Sequence, residues 1–352
     1  MADIQIEVKL TSSGPTKLLF DGAVQTRSST NQTDQVQITN RKITANLQRS
    51  SVQSAPLAAH NSTFFKLIIK SLALYYTLAR KPARIRTICW RKIAASGATT
   101  EFPVEKSEIV QIVGRKTDLS LLTQIVQAKA ELLMEETDRG RAVLYAITHL
   151  IKALDSDGPF ERFDRLWRAF NALYKAFSGK TKDTDCHIDL ANDIRANPIR
   201  YPLSVAKVTP LTKDEIRKHT RWNLMLQNNY PTPKRTKNLR DAIVRTADSR
   251  IIEIYRDTLS IRETLLKAEG GYNAASTHIG AMLATPQVNH SDVVTTLCIK
   301  YMYFVRNKIA HAERTDSGFA FLRGSAEEAE ISWLTPMLEA LIIDLINISD
   351  TF

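Results

Sequence analysis

Six aromatic residues, Phe160, Phe163, Trp167, Phe170, Tyr174 and Phe177, recur at spacings of three and four. At about 3.6 residues per turn this spacing collects all six rings on one side of a helix. The chain around them must therefore supply other elements against which a long apolar stripe can be buried. Pro159 suits the first turn of such a helix and Gly179 its C-terminal stop, which predicts a helix over 159–178. A stripe this regular reads as core or interface. Stacking on RNA bases is the functional alternative, and it would need the rings exposed.

Comparable periods run through the rest of the chain from Lys116 onward, separated by Asp, Gly and Pro, with helices expected near 117–136, 140–154, 212–229, 236–268, 290–313 and 328–348. The first sixty residues are instead rich in Ser, Thr, Gln and Asn. Their β-branched stretches, Ile4-Gln5-Ile6-Glu7-Val8 and Val36-Gln37-Ile38-Thr39, alternate apolar with polar as half-buried strands do. The expected fold is mainly α: a helical domain over 116–352, preceded by a small basic region over 1–115 that is partly β or flexible. A chain of 352 residues can bury one large core or two ordinary ones.

The formal charge of +11 is concentrated in one place. Between Gln35 and Thr100 stand Arg41, Lys42, Arg49, Lys66, Lys70, Arg80, Lys81, Arg84, Arg86, Arg91 and Lys92, and no Asp or Glu. The remaining 37 basic and 37 acidic residues cancel. A field gathered in this way attracts a polyanion, RNA or DNA above all, with a solvated basic face or an acidic protein partner as the plainer readings. The opening Met1-Ala2-Asp3-Ile4-Gln5 is polar and lacks a secretory pattern. Phe64 to Ala79, the most apolar stretch, is interrupted by Lys66 and Lys70 and is short for a membrane span. The expectation is a soluble cytoplasmic protein. Cys89, Cys186 and Cys298 are odd in number and far apart, which suits reduced structural thiols better than a disulfide framework or a zinc knuckle.

The segment from His290 to His311 carries the chemistry of most interest. Ser291 is a candidate N-cap, and Cys298, Met302, Val305, Ile309 and Ala312 form a stripe spaced four, three, four, three. Arg306, Asn307 and His311 lie off that stripe. Asn307 and His311 are an i, i+4 pair that can touch. Arg306 and His311 are about 140° apart on a helical wheel. For them to act together, either the guanidinium arm bends round or a second copy of the helix completes the site. Near a helix C-terminus His is also favoured by the macrodipole alone, and an edge Arg can simply pair with a carboxylate such as Glu313 or Asp316.

An Arg followed by Asn, closing an Arg-x4-His unit on a late helix of an α domain, resembles the HEPN superfamily. The helix Phe163-Asp164-Arg165-Leu166-Trp167-Arg168-Ala169-Phe170-Asn171-Ala172-Leu173-Tyr174 is similar to the upstream aromatic helix of several of its branches. The resemblance covers roughly residues 117–350 and leaves the N-terminal third unexplained. It implies a HEPN-like helical bundle and a metal-independent endoribonuclease, often a toxin or anti-phage effector. It also implies a homodimer whose two Arg-x4-His units share a composite active site. Arg306 and His311 would be catalytic and Asn307 would support them, acting on RNA such as tRNA, with no cofactor and no metal. An inhibitory or sensor protein is a further expected partner. The alternative is a non-catalytic helical module that binds nucleic acid or protein.

Other motifs carry less. Asp183, Asp185, Cys186, His187 and Asp189 are metal-ligand types without a second ligand pair, and read as a solvated loop preceding a helix. Asp155-Ser156-Asp157-Gly158 begins like a calcium loop, but Pro159 follows and Leu166 stands where the distal Glu belongs, so it reads as a turn. Pro231-Thr232-Pro233-Lys234-Arg235-Thr236-Lys237 reads as a basic loop between helices, either a solvated connection or a hold for an RNA backbone. No phosphate-cradling Gly-Lys-Ser/Thr loop or dinucleotide fingerprint is present.

Overall fold

The period-two alternation of Ile4, Ile6 and Val8 is realised in an antiparallel sheet that places those side chains, each at most 3% exposed, in a core. The computed structural model describes residues 2–12, 14–25, 33–49, 62–82, 84–94, 96–104, 113–114, 116–310 and 324–352. Contacts gather the chain into two units, Met1–Gly179 with Leu345–Phe352, and Lys180–Asp344.

In the first unit the strands are β1 (Ala2–Leu10), β2 (Leu18–Gln25), β3 (Thr33–Thr39), β4 (Lys42–Arg49), β5 (Ile85–Ile93) and β6 (Thr99–Pro103). Their order is β2-β3-β4-β1-β5-β6, and every pairing is antiparallel. β1 is central: Ile6 pairs with Ala45 on one side and Trp90 on the other, and Val8 with Ile43 and Ile88. Helix α1 (Thr63–Ala79) covers this apolar face, with Phe64 set edge-on to Trp90 at 6.4 Å. Ser62 caps α1 by accepting from the Phe65 amide at 3.1 Å. The two lysines that interrupt the apolar run fare differently. Lys66 stays exposed, whereas Lys70 is buried and donates to the Glu136 carboxylate at 2.7 Å and to the carbonyls of Met134 and Glu135 at 3.0 and 3.1 Å.

The rest of this unit is helical. The expected helix over 117–136 is instead two 3₁₀ turns, Ser120–Gln124 and Leu132–Met134, flanking the short α2 (Gln127–Glu131). Apolar spacing there matched a helical template, but Ile125 and Val126 are extended and interrupt it. Next come α3 (Asp138–Leu154) and α4 (Pro159–Ser178), joined by the turn read from Asp155 to Gly158. Pro159 opens α4 and Gly179 ends it at φ 66°, in the left-handed region. Phe163, Trp167, Phe170 and Tyr174 are buried and Phe160 and Phe177 half-buried, so the stripe is core and offers no stacking platform.

The second unit contains α5 (Asp183–Ala196), α6 (Pro202–Val208), α7 (Lys213–His219), α8 (Trp222–Asn229), α9 (Pro233–Val244), α10 (Ser249–Thr258), α11 (Glu263–Glu269), α12 (Tyr272–Ala284), α13 (His290–Val294), a π-helical turn over Thr295–Tyr301, α14 (Met302–Ala310) and α15 (Ala326–Asn347) up to Asp344. The acidic cluster at 183–189 is the start of α5, not a loop. Asp183 and Asp185 favour its first turn electrostatically, while Cys186, His187, Leu190 and Ile194 are buried at helical spacing. The basic stretch after Pro231 is likewise helical from Pro233, with Thr232 capping the Arg235 amide.

Two expected long helices are broken by polar groups. Over 212–229 the break at Thr220–Arg221 lets the Arg221 amide donate to the Tyr301 hydroxyl at 2.5 Å. Over 236–268 it falls at Asp248, whose buried carboxylate caps α10 and holds the Arg250 guanidinium at 2.9 and 3.0 Å. The segment expected over 328–348 is α15, buried over most of Ile331 to Ile343 with Ser332 and Pro336 exposed.

Candidate active site

The sequence from His290 onward forms one continuous helical run, but not the uniform amphipathic α-helix its spacing suggests. Asn289, not Ser291, is the N-cap, accepting from the Asp292 amide at 3.3 Å. Ser291 through Ile299 are all buried, so this half is enclosed on every side and does not present one face only. A π turn then adds a residue to the period between Thr295 and Tyr301. Beyond Ile299, Lys300, Tyr303, Arg306, Asn307, Lys308 and Ile309 are half-buried, whereas Tyr301, Met302, Phe304 and Val305 remain in the core.

Arg306 and Asn307 thus stand where a deeply anchored helix emerges. The Arg306 Nη1 donates to Asn307 Oδ1 at 3.0 Å. The guanidinium thus reaches the side chain of its sequence neighbour. This bond engages the amide carbonyl and leaves the Asn307 NH₂ as a donor. Among the described residues Arg306 has no carboxylate partner. His311 lies outside the described residues, as do Ala312, Glu313 and Asp316.

Sequence reasoning missed a second imidazole beside this face. Tyr303 precedes Asn307 by one helical turn, and the buried His187 of α5 packs edge-on against it, with ring centroids 5.0 Å apart and planes at 80°. The available signal is the helical spacing of Cys186, His187, Leu190 and Ile194, which competes with the reading of 183–189 as a solvated loop without a second ligand pair.

The enclosed half of the run is held by a satisfied polar network. Asp292, 1% exposed, accepts from Arg195 Nε at 2.8 Å and from the Ala247 amide at 2.7 Å, and Arg195 Nη2 reaches the Thr295 hydroxyl at 2.9 Å. Asp248 accepts from the Asn289 amide at 2.9 Å, and Arg250 contacts His290 Nδ1 at 3.1 Å. With each carboxylate paired, this network fixes the helix in place. Lys300, on the π turn, differs. Burial, with the nearby Arg195 and Arg245 guanidinium groups, lowers its pKa to about 8. No ion pair or hydrogen bond from its ammonium is found among the described residues.

No three His, Cys, Asp or Glu side chains among the described residues are arranged to hold a metal ion, and no described helix is long and apolar enough to cross a membrane. No family model, curated protein or solved structure matches the chain.

Proposed function

We propose that the chain is a metal-independent endoribonuclease of the HEPN type, working as a homodimer in the manner of toxin or anti-phage effectors. The observation that carries the reading is the Arg306–Asn307 pair, set on the emerging end of an anchored helix and followed at the Arg-x4-His spacing by His311. The chemistry suits these groups. His311 takes the proton of an RNA 2′-hydroxyl, whose oxygen attacks the adjacent phosphorus. The P–O5′ bond breaks, and a proton passes to the leaving 5′-oxygen, leaving a 2′,3′-cyclic phosphate. The Arg306 fork holds the phosphate oxygens as charge accumulates, and Asn307 keeps that fork aimed. Imidazole suits this proton transfer near neutral pH.

Incubation of the purified protein with tRNA and total RNA in excess chelator tests the reading. Cleavage is expected, and both Arg306→Ala and His311→Ala should abolish it. Activity that needs added metal, or that survives both substitutions, rejects the mechanism. Mixing the two inactive variants tests the composite site: a heterodimer regains one intact Arg306–His311 pair across the interface and recovers part of the activity. A second reading, a non-catalytic nucleic-acid-binding module, is favoured by the acid-free basic run that supplies β4, α1 and β5. It predicts salt-sensitive binding without cleavage.

A further inference from the structure

One end of the sheet gathers cations, and among the described residues Glu7 is the one carboxylate that pairs with any of them. There the exit of β1, the β3–β4 turn and the start of β5 surround a cavity of about 710 Å³ lined by Lys9, Arg41, Lys42, Arg86 and the hydroxyl residues Thr11, Ser12, Thr16 and Thr39. Leu10 is the one apolar residue of the wall. Backbone bonds tie the three segments together: Leu10 N to Arg41 O and Thr11 N to Arg84 O, each 2.8 Å. The Thr39 hydroxyl accepts from the Lys42 amide at 3.0 Å. The frame is therefore built before any ligand arrives.

The charges on that frame are unfavourable as they stand. Lys9 and Lys42 are direct cross-strand partners in the β1–β4 register, an arrangement that costs stability when both carry the same sign. Arg41 and Arg86 add to the same field, and all four side chains are exposed. The nearest compensation is Glu7, 3.3 Å from the Lys9 ammonium. Three of the four cations come from the acid-free run of the sequence.

We propose that this cavity binds the phosphodiester backbone of a single-stranded nucleic acid. The two guanidinium groups and two ammonium groups match successive phosphate oxygens, while the Thr11 and Thr39 hydroxyls donate to the Arg84 and Lys42 carbonyls and the Arg41 Nη2 to the Gly14 carbonyl, which hold the frame and one guanidinium in place. The volume exceeds what one phosphate ion fills and lies within the usual range of ligand sites, roughly 300–1,000 Å³. The site is an open groove with its cations exposed, which suits an extended chain laid along it. With no aromatic ring on the wall, bases are not read, so binding is independent of sequence and falls steeply with salt. The proposal uses no residue of the Arg306–His311 site.

The test measures anisotropy of a labelled oligothymidylate, which has no 2′-hydroxyl and cannot be cut by the proposed ribonuclease, with the full chain between about 50 and 200 mM salt. The variant carries Lys9→Gln, Arg41→Gln, Lys42→Gln and Arg86→Gln together, with Lys42→Gln alone as a companion. The quadruple variant is expected to bind at least about tenfold more weakly, with a log–log salt slope shallower by about 3, from about 0.7 per lost contact. The single variant should melt no lower than the parent. An unchanged affinity or slope in the quadruple variant overturns the proposal. So does binding confined to tripolyphosphate or to anionic lipid vesicles. Oligonucleotide binding that persists in a protein unable to cleave RNA would count against the ribonuclease reading alone.

Discussion

Replacing Lys300 by Met should stabilise the protein at neutral pH, although it removes a charged residue from a helix. The ammonium sits on the π turn beside Arg195 and Arg245, and burial is the main reason its pKa falls from 10.5 to about 8. At about 1.4 kcal/mol per pKa unit, that fall corresponds to about 3 kcal/mol against the charged form. Lys300 retains some solvent contact, which screens part of the penalty, so a gain of about 1–3 kcal/mol is expected for a side chain of similar length without the charge. The pH dependence gives the sign independently. Between about pH 8 and 10.5 the unfolded chain still holds the Lys300 proton and the folded chain has released it. Stability of the parent therefore rises through that window, by linkage, while Lys300→Met lacks this contribution. Urea denaturation of both proteins at pH 7 and near pH 10 measures the effect, with equal m-values as the control. The advantage of Lys300→Met should be largest at pH 7 and shrink toward pH 10. A variant less stable than the parent at pH 7, or a gap that does not change with pH, would refute the reasoning.

Lys70→Met should do the opposite, because its ammonium is matched: losing it strands Glu136 and the Met134 and Glu135 carbonyls, at a cost of about 3–5 kcal/mol by urea denaturation. Adding Glu136→Gln to that variant should recover part of the loss. His149 predicts a separate acid sensitivity. Burial, then Lys152, Arg165 and Arg168, lower its pKa to about 4, so as pH falls from 6.5 toward 4 the unfolded chain takes up this proton before the folded one and stability is lost. In His149→Phe, melting curves across that window should flatten relative to the parent, and an unchanged pH profile would show that another group controls it.

Parts of this fold were legible because one residue's chemistry decided them locally. Pro159, the ring spacing and Gly179 defined α4 to the residue, since a fixed φ at one end and a left-handed glycine at the other need no distant partner. The strands at Ile4–Val8 and Val36–Ile38 were legible from alternation, but their six-strand order was not, because period two sets which face is buried and not which strand lies alongside. Four helices, α1, α5, α6 and α12, are not expected from the sequence, α5 and α12 for a different reason. α5 hides its buried side behind acidic neighbours, and α12 buries little beyond Ala275 and Ile279, so neither shows a broad apolar stripe.

For the candidate site, the sequence by itself determined the residue types and spacing: a guanidinium, an adjacent amide and an imidazole five residues on from the guanidinium, on a helix expected over 290–313. Only the tertiary structure decided that this helix is enclosed as far as Ile299, carries a π turn, and frees Arg306 and Asn307 at its emergence, with His187 packed on Tyr303 one turn earlier. The basic cavity divides in the same way. The sequence concentrated the charge, and strand register placed Lys9 against Lys42 with Arg41 and Arg86 around them. The reason is common to both: propensity and capping act over a few neighbouring residues, whereas enclosure, helix breaks and cross-strand pairing depend on partners tens of residues away.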